Sequence, residues 1–497
     1  MLTMLLRQLL ATLCGVVIPR VMIGAFGSEV YGATTSIAQF LSYVSLLEGG
    51  IGRVARGALY KHFAEGDETK ISGVHRAIRS FFRNIGIFYL LYAVVLAFVY
   101  HDIANITEFD REYTFLLVLA ISLSTVITYF IGVSNMTLMH ADQKQYLTNT
   151  VITVTNIINT LCIVLLVKVK AEVLTVKLVS SIVFIARPVF YAWYVRRNYH
   201  LPKVGKSATA LSQKWTGIGQ HMAYFLHTNT DVVMLTILAD LKTVAVYSVY
   251  HLVVNSIWNI ASSLSGGMEA AFGEMIAKRE QRSLKMAYRN YKCILMWVSL
   301  MLFGCAGVLI IPFVRLYVKG ITDADYIQPT FAMLLLLSEF MNCISLPCST
   351  LPISAYKLKK TRWGAYGEAL INITVSLALI RWNPLLGVAI GTLAATVFKS
   401  LYYMAYAAKN HLECSSMSLI AKFVASVATI LGIGIVGMIF MKNMQMANYL
   451  VWALWGMATF AVVAVIATTV CCLLFPNEMK PLIRRVCRVL CRRKGIS

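Results

Sequence analysis

Apolar stretches of about 20 residues recur along the whole chain, and at about 1.5 Å per residue each is long enough to cross a hydrocarbon core about 30 Å thick. They predict transmembrane helices over residues 5–26, 30–54, 82–100, 113–139, 148–168, 173–195, 217–239, 244–273, 291–314, 330–354, 363–381, 385–407, 420–441 and 448–475. With 58% hydrophobic and 13% charged residues among 497, the chain carries more apolar surface than a water-soluble protein of this length can bury. The fold class is therefore all-α: a polytopic membrane protein of about fourteen helices. Segments such as 217–239 are too polar on one face to meet lipid all round and are expected to line an interior.

The net charge of +23 is distributed as membrane orientation demands rather than as a nucleic-acid footprint. With the N-terminus placed in the cytoplasm, 31 of the 45 Lys and Arg fall on the cytoplasmic side and nine on the other. The asymmetry fits an even number of crossings with both termini cytoplasmic. The eleven cysteines lie in predicted helices or on the reducing side, so they read as small apolar residues and not as a disulfide framework. The first apolar segment is too long for a cleavable signal and contains Arg20. No connection exceeds about 25 residues, which leaves no room for a soluble catalytic domain of ordinary size. No cofactor, metal or nucleic acid is expected.

A weak internal repeat sets the organisation. The run SLLEGG (Ser45 to Gly50) matches SSLSGG (Ser262 to Gly267), and VYG (Val30 to Gly32) matches VYS (Val246 to Ser248), at an offset of 216 to 217 residues. Six predicted helices separate the copies, so both have the same orientation, as in parallel repeats. The expected units are a six-helix lobe over 1–196, a basic linker over 197–216, a second six-helix lobe over 217–408, a helix pair over 409–475 and a basic tail over 476–497.

The segments IPRVMIGAFGSEVYGATTSIAQFLSYVSLLEGGIGR (Ile18 to Arg53), LMHADQKQYLTNTVITVTNIIN (Leu138 to Asn159), TDVVMLTILADLKTVAVYSVYHLVVN (Thr230 to Asn255) and GGMEAAFGEMIAK (Gly266 to Lys278) resemble the polysaccharide and O-antigen lipid flippases. These belong to the multidrug, oligosaccharidyl-lipid and polysaccharide exporter superfamily. The resemblance covers most of the first twelve helices and implies two parallel six-helix lobes around a central cavity, with a C-terminal helix pair added. It further implies movement of undecaprenyl-diphosphate-linked oligosaccharide units from the inner to the outer leaflet of a bacterial cytoplasmic membrane, for surface polysaccharide biosynthesis. Membrane lipids and polysaccharide polymerase proteins are the partners it suggests, with a proton or sodium ion as driving ion.

Charges inside the spans narrow the candidate site. A charge at mid-bilayer costs about 2.5–3.5 kcal/mol on insertion scales, so each calls for a reason. Arg20, Arg53, Arg187 and Lys399 are candidates to hold a diphosphate, because guanidinium forks match phosphate oxygens. Pairing with a helix acid or carbonyl, or reach of the head group to an interface, accounts for the same residues without a substrate. Glu48, Asp231, Glu269 and Glu339 are candidates to couple an ion, Asp231 and Glu339 foremost, since a carboxylate within a span can exchange a proton or bind a cation. His221, His227 and His251 read as interior polar groups. Asn135, Asn156, Asn159 and Asn255, with Tyr31, Tyr43, Tyr129 and Trp258, form a sugar-facing set, though interhelical hydrogen bonding explains the asparagines equally. The sequon at Asn105 carries no functional weight.

Two other functions stay open. A cation-coupled drug exporter of the same superfamily would want acids in the first lobe, which offers Glu48 alone among its spans. A membrane-embedded polymerase or ligase would need an outer catalytic loop, whereas the longest outward connections, 101–112 and 317–328, hold about a dozen residues. The chain therefore reads as a transporter and not as an enzyme.

Overall fold

A computed structural model describes residues 2–49, 51–202, 204–205, 218–355, 358–412, 415–441 and 446–481. Among them all regular structure is helical. The helices are α1 (Leu2–Ser42), α2 (Ile51–Glu65), α3 (Glu68–Ala104), α4 (Arg111–Ile127), α5 (Val133–Ala141), α6 (Gln145–Lys168), α7 (Val173–Asn198) and α8 (Ile218–Leu238). They continue with α9 (Leu241–Ser262), α10 (Gly266–Ala277), α11 (Gln281–Tyr317), α12 (Pro329–Ser354), α13 (Leu358–Leu379), α14 (Pro384–Ala407), α15 (Ser416–Met441) and α16 (Tyr449–Leu474). Eleven segments among the described residues are long and apolar enough to span a bilayer. The protein is a multi-pass membrane protein.

Every predicted span falls on helical chain, though not always on one helix. The first lies within α1, and the second covers the end of α1, a 3-10 turn at Tyr43–Glu48 and the start of α2; the spans over 217–239 and 363–381 fall on α8 and α13, which lie outside the eleven. Helix ends differ more than helix existence. The span over 82–100 is the second half of a 37-residue helix, about 55 Å long, that starts at Glu68. Hydropathy marks only the part of a helix that meets lipid. The preceding turns of α3 are held instead by an Asp67 cap on the Lys70 amide at 3.0 Å, by burial of Ile71, Val74 and His75, and by the Ser72 hydroxyl donating to the Pro202 carbonyl at 2.6 Å.

Two breaks shape the N-terminal helices. Within α1, Gly27 adopts φ 84°, a conformation that L side chains avoid, and the helix restarts at Ser28. Asp323 caps the restart, accepting from the Ser28 amide at 2.6 Å and from its hydroxyl at 2.7 Å. Between α4 and α5 the chain makes a π-helical turn over Thr128–Gly132. The extra residue turns Tyr129 inward and sets Gly132 against Pro188 of α7, where an added Cβ would stand 2.9 Å from the proline ring.

The chain forms two compact units, Met1–Ser248 with Gly320–Ala324, and Val249–Lys319 with Asp325–Ser497. In the first, α1 packs on α6, α3 on α4, and α7 on both α4 and α6, around a core that includes Met22, Ile37, Ile78, Tyr100, Leu117 and Leu138. In the second, α14 packs on α12 and α13, and α11 carries α12, α15 and α16. The final helix pair is thus fastened to α11, where the Trp297 indole donates to the Thr468 hydroxyl at 3.0 Å and the Trp452 indole to the Leu309 carbonyl at 3.3 Å.

At one end of the first unit, outside the spans, Asp142 accepts from the Tyr199 hydroxyl at 2.6 Å and pairs with Lys144 at 2.7 Å, whose ammonium lies 4.8 Å from the Tyr199 ring centre. Burial pushes the Tyr199 hydroxyl up from its ordinary value, and the bond to Asp142 pushes it further. Burial alone would push Lys144 down, but Asp142 and Tyr199 together hold it above its ordinary value. Both groups bind their protons more tightly in the folded protein, so their contribution is full below about pH 10 and is lost as pH rises through the folded values. Replacing Tyr199 by Phe is expected to cost about 1–2 kcal/mol and to flatten the fall in thermal stability above about pH 10, as read by melting in detergent across a pH series.

Candidate functional site

Five helices of the first unit enclose a cavity of about 570 Å³. Thr34, Ala38 and Ser42 of α1 line it, with Ser45 in the 3-10 turn that follows, Tyr89 of α3, Ser124 and Thr125 of α4, Tyr129 in the π turn, Asn159 of α6, and Lys177, Ser180, Ser181 and Phe184 of α7. The α7 residues recur at helical spacing, so one stripe of that helix faces the interior. Among the described residues no carboxylate lines the cavity. Glu48 is connected to it through Tyr129, whose hydroxyl donates to Glu48 Oε1 at 2.7 Å.

Arg187 lies at mid-span on α7, beside Pro188. Its Nε donates to Thr155 Oγ1 at 2.7 Å, its Nη2 to Asn156 Oδ1 at 2.6 Å, and its guanidinium lies 4.2 Å from the centre of the Phe184 ring. Both partners are neutral side chains of α6, so the hydrogen bonds hold the group in place, and no acid among the described residues pairs with it. Asn156 is thereby occupied by Arg187. Arg20 lines a different cavity, of about 730 Å³, with Lys168 and Lys170 at the end of α6. Its guanidinium lies beside Gly24, one turn further along α1. The Arg53 and His227 side chains lie outside the described residues.

The remaining predicted residues have mixed surroundings. Asn135 Oδ1 is 3.0 Å from His75 Nε2, and its amide donates to the Ile131 carbonyl, which ties α5 to α3. Tyr43 reaches the Asn229 carbonyl at 3.4 Å and packs edge-on against Phe225. Tyr31 accepts two threonine hydroxyls through its carbonyl. His221 Nε2 lies 3.4 Å from the Ser45 carbonyl. Asp231 is buried on α8 and accepts from Tyr247 at 3.0 Å. In the second unit Asn255 and Glu269 are exposed, on α9 and α10, and the Trp258 indole nitrogen is buried without a hydrogen-bond partner. His251 has partners of its own.

A second charged cluster lies wholly within the second unit. Lys399 of α14 pairs with Glu368 of α13 at 2.9 Å, the side chains being 12% and 5% exposed. Glu339 of α12 accepts from Asn342 at 3.2 Å and lies within electrostatic reach of both members of the pair. One lysine thus stands among two carboxylates. Lys399 is engaged by an acid rather than free for a phosphate, and Glu339 stands beside the pair. Sequence reasoning missed Glu368, which sits nearly two helical turns past the cationic run that ends at Arg362, and missed Lys177, which lies one turn into α7 and reads in the sequence as an outer-face lysine.

No family model and no curated protein matches the chain. Among solved structures it is similar to a lipid II flippase, MurJ, in an inward closed conformation, with 13% identity, a TM-score of 0.72, and coverage of 95% of this chain and 98% of that one. It is also similar to the MATE multidrug transporter DinF-BH, with 14% identity, a TM-score of 0.58, and coverage of 82% and 94%. An inward-facing multidrug resistance MATE family transporter of the MOP superfamily matches with 13% identity, a TM-score of 0.60, and coverage of 80% and 94%. The chain has the fold of that superfamily. At such identities the likeness is one of fold.

Because Lys399 and Glu368 are buried together, removing one weakens the compensation of the other's charge. Glu368→Ala is expected to cost about 3 kcal/mol, and the Glu368→Gln, Lys399→Met double substitution to recover most of that loss, measured as a double-mutant cycle of thermal unfolding in detergent.

Proposed function

We propose that the protein is a flippase that moves undecaprenyl-diphosphate-linked oligosaccharide units from the inner to the outer leaflet of a bacterial cytoplasmic membrane by alternating access, with both termini in the cytoplasm. The observation that carries this reading is Arg187: a guanidinium at mid-span, fixed by neutral partners and without a compensating acid among the described residues. A fixed, uncompensated cation of this kind suits an anionic substrate and repels a cationic drug. Arg20, grouped with Lys168 and Lys170 around its own cavity, adds a second cationic place along the same unit.

The extent of the fold likeness supports the same reading. The lipid II flippase matches 95% of this chain, and the 5% left out is too short to hold both α15 and α16, whereas the two multidrug transporters leave 18 to 20% unmatched. An inside-negative potential would drive an anionic head group outward by about 2.3 kcal/mol per charge per 100 mV. Glu339, with the Glu368 and Lys399 pair beside it, is the proposed place for a returning proton or sodium ion, and Asp231 is a second candidate.

In proteoliposomes, exposure of a fluorescent undecaprenyl-diphosphate oligosaccharide is expected to rise with an imposed inside-negative potential. Arg187→Ala is expected to lower the rate at least tenfold, and Arg20→Ala severalfold. If the wild-type protein leaves this lipid where it is and expels an organic cation against a proton gradient, the flippase reading is wrong and drug antiport replaces it.

A further inference from the structure

The cavity of the first unit holds a cation, acceptors and ring faces that nothing in its own packing satisfies. The Lys177 side chain lines it, and among the described residues the ammonium has neither an ion pair nor a hydrogen bond. Asn159 is only 4% exposed, yet its Oδ1 has no donor, and the Ser180 hydroxyl is likewise without a partner. These three groups come from α6 and from successive turns of α7. None of the three is hydrogen-bonded to another, and all three residues line the cavity. Burying polar atoms without partners costs about 1–3 kcal/mol each, so an apolar occupant would leave a substantial penalty in place.

The complement of donors and acceptors narrows what fits. Lys177 offers only donors. The Thr34, Ser42 and Ser181 hydroxyls already donate to the Tyr31, Gln39 and Ala120 carbonyls, so toward the cavity they can only accept. With Asn159 Oδ1 they supply acceptors to a lining whose one charged side chain, among the described residues, is that of Lys177. A halide, which accepts but cannot donate, answers the lysine and leaves Asn159 unanswered. The volume, about 570 Å³, lies in the range of sites that enclose small organic molecules. Tyr89, Tyr129 and Phe184 add aromatic faces suited to the C–H side of a sugar ring.

We propose that this cavity binds a hydroxyl-bearing anion, of the class of an acidic monosaccharide or a sugar phosphate, with Lys177 on the anionic group and Asn159 and Ser180 on ligand hydroxyls. The assignment rests on the reading of the chain as a carrier of lipid-linked sugars and specifies that the transported unit includes such an acidic residue. Carboxylate and phosphate share the required chemistry, and separate titrations distinguish them.

The test is calorimetric titration of the full-length protein in nanodiscs with glucuronate, glucose 1-phosphate, glucose and chloride. Saturable binding of either sugar anion is expected, at least tenfold tighter than glucose and not displaced by equimolar chloride. K177M is expected to weaken it at least tenfold, K177R to keep it within about threefold, and N159L to weaken it severalfold, in proteins whose melting shows them folded. Absence of saturable binding in the folded wild type, equal affinity in K177M, or full displacement by chloride would overturn the assignment. Flipping of a lipid-linked unit that contains an acidic sugar is scored separately. Its failure alongside intact anion binding counts against the transport reading and leaves the site standing, whereas loss of binding alongside intact flipping removes the site alone.

Discussion

In a hydrocarbon solvent every backbone amide must find its acceptor within the protein, and the whole architecture follows from that demand. Helices meet it over most of the chain, and the informative places are those where a helix fails to. At Gly27 the ladder of α1 is interrupted, and the amide of Ser28 turns to a carboxylate from a distant segment. At Thr128–Gly132 the ladder widens by one residue and continues, at the cost of a bulge that Gly132 accommodates against Pro188. Pro188 itself cannot donate to the carbonyl one turn before it, at Phe184, the residue over which the Arg187 guanidinium is placed.

Two interior cation sites, one in each unit, are built in opposite ways. In the second, Lys399 is matched by Glu368 at close range, so charge is balanced where it is buried. In the first, Arg187 meets an amide and a hydroxyl, and Lys177 faces a cavity with no carboxylate among its described lining residues. Neutral acceptors orient a cation without cancelling its field, which leaves that field available to a ligand.

Much of this was legible in the sequence, and what was missed has physical causes. Span positions follow from length and apolarity alone, and Arg187 stands out because its neighbours on both sides are apolar. Helix ends were not legible at Glu68, because the turns of α3 before residue 82 are stabilised by a cap and by packing, which hydropathy does not record. Lys177 was hidden because a lysine four residues into a helix looks like an interfacial anchor, and only the rotation of α7 about its axis, fixed by its packing on α4 and α6, turns it inward. Glu368 was hidden by the adjacent basic run. The asparagines show the converse: a polar residue in a span announces a hydrogen bond but not its partner, and Asn135 and Asn156 found His75 and Arg187.

The cap on α1 also sets an order of assembly. Asp323 lies 295 positions after Ser28, so the restart of the first helix has no carboxylate at its N-terminus until roughly two thirds of the chain has been made. At about 5–20 residues per second that is an interval of roughly 15 to 60 s. During it the helices of the first unit are already in the membrane with the break at Gly27 uncapped, and the final docking of the segment Gly320–Ala324 completes a unit whose first residues were inserted long before. The N-terminal unit is thus a structure that the ribosome begins early and finishes late.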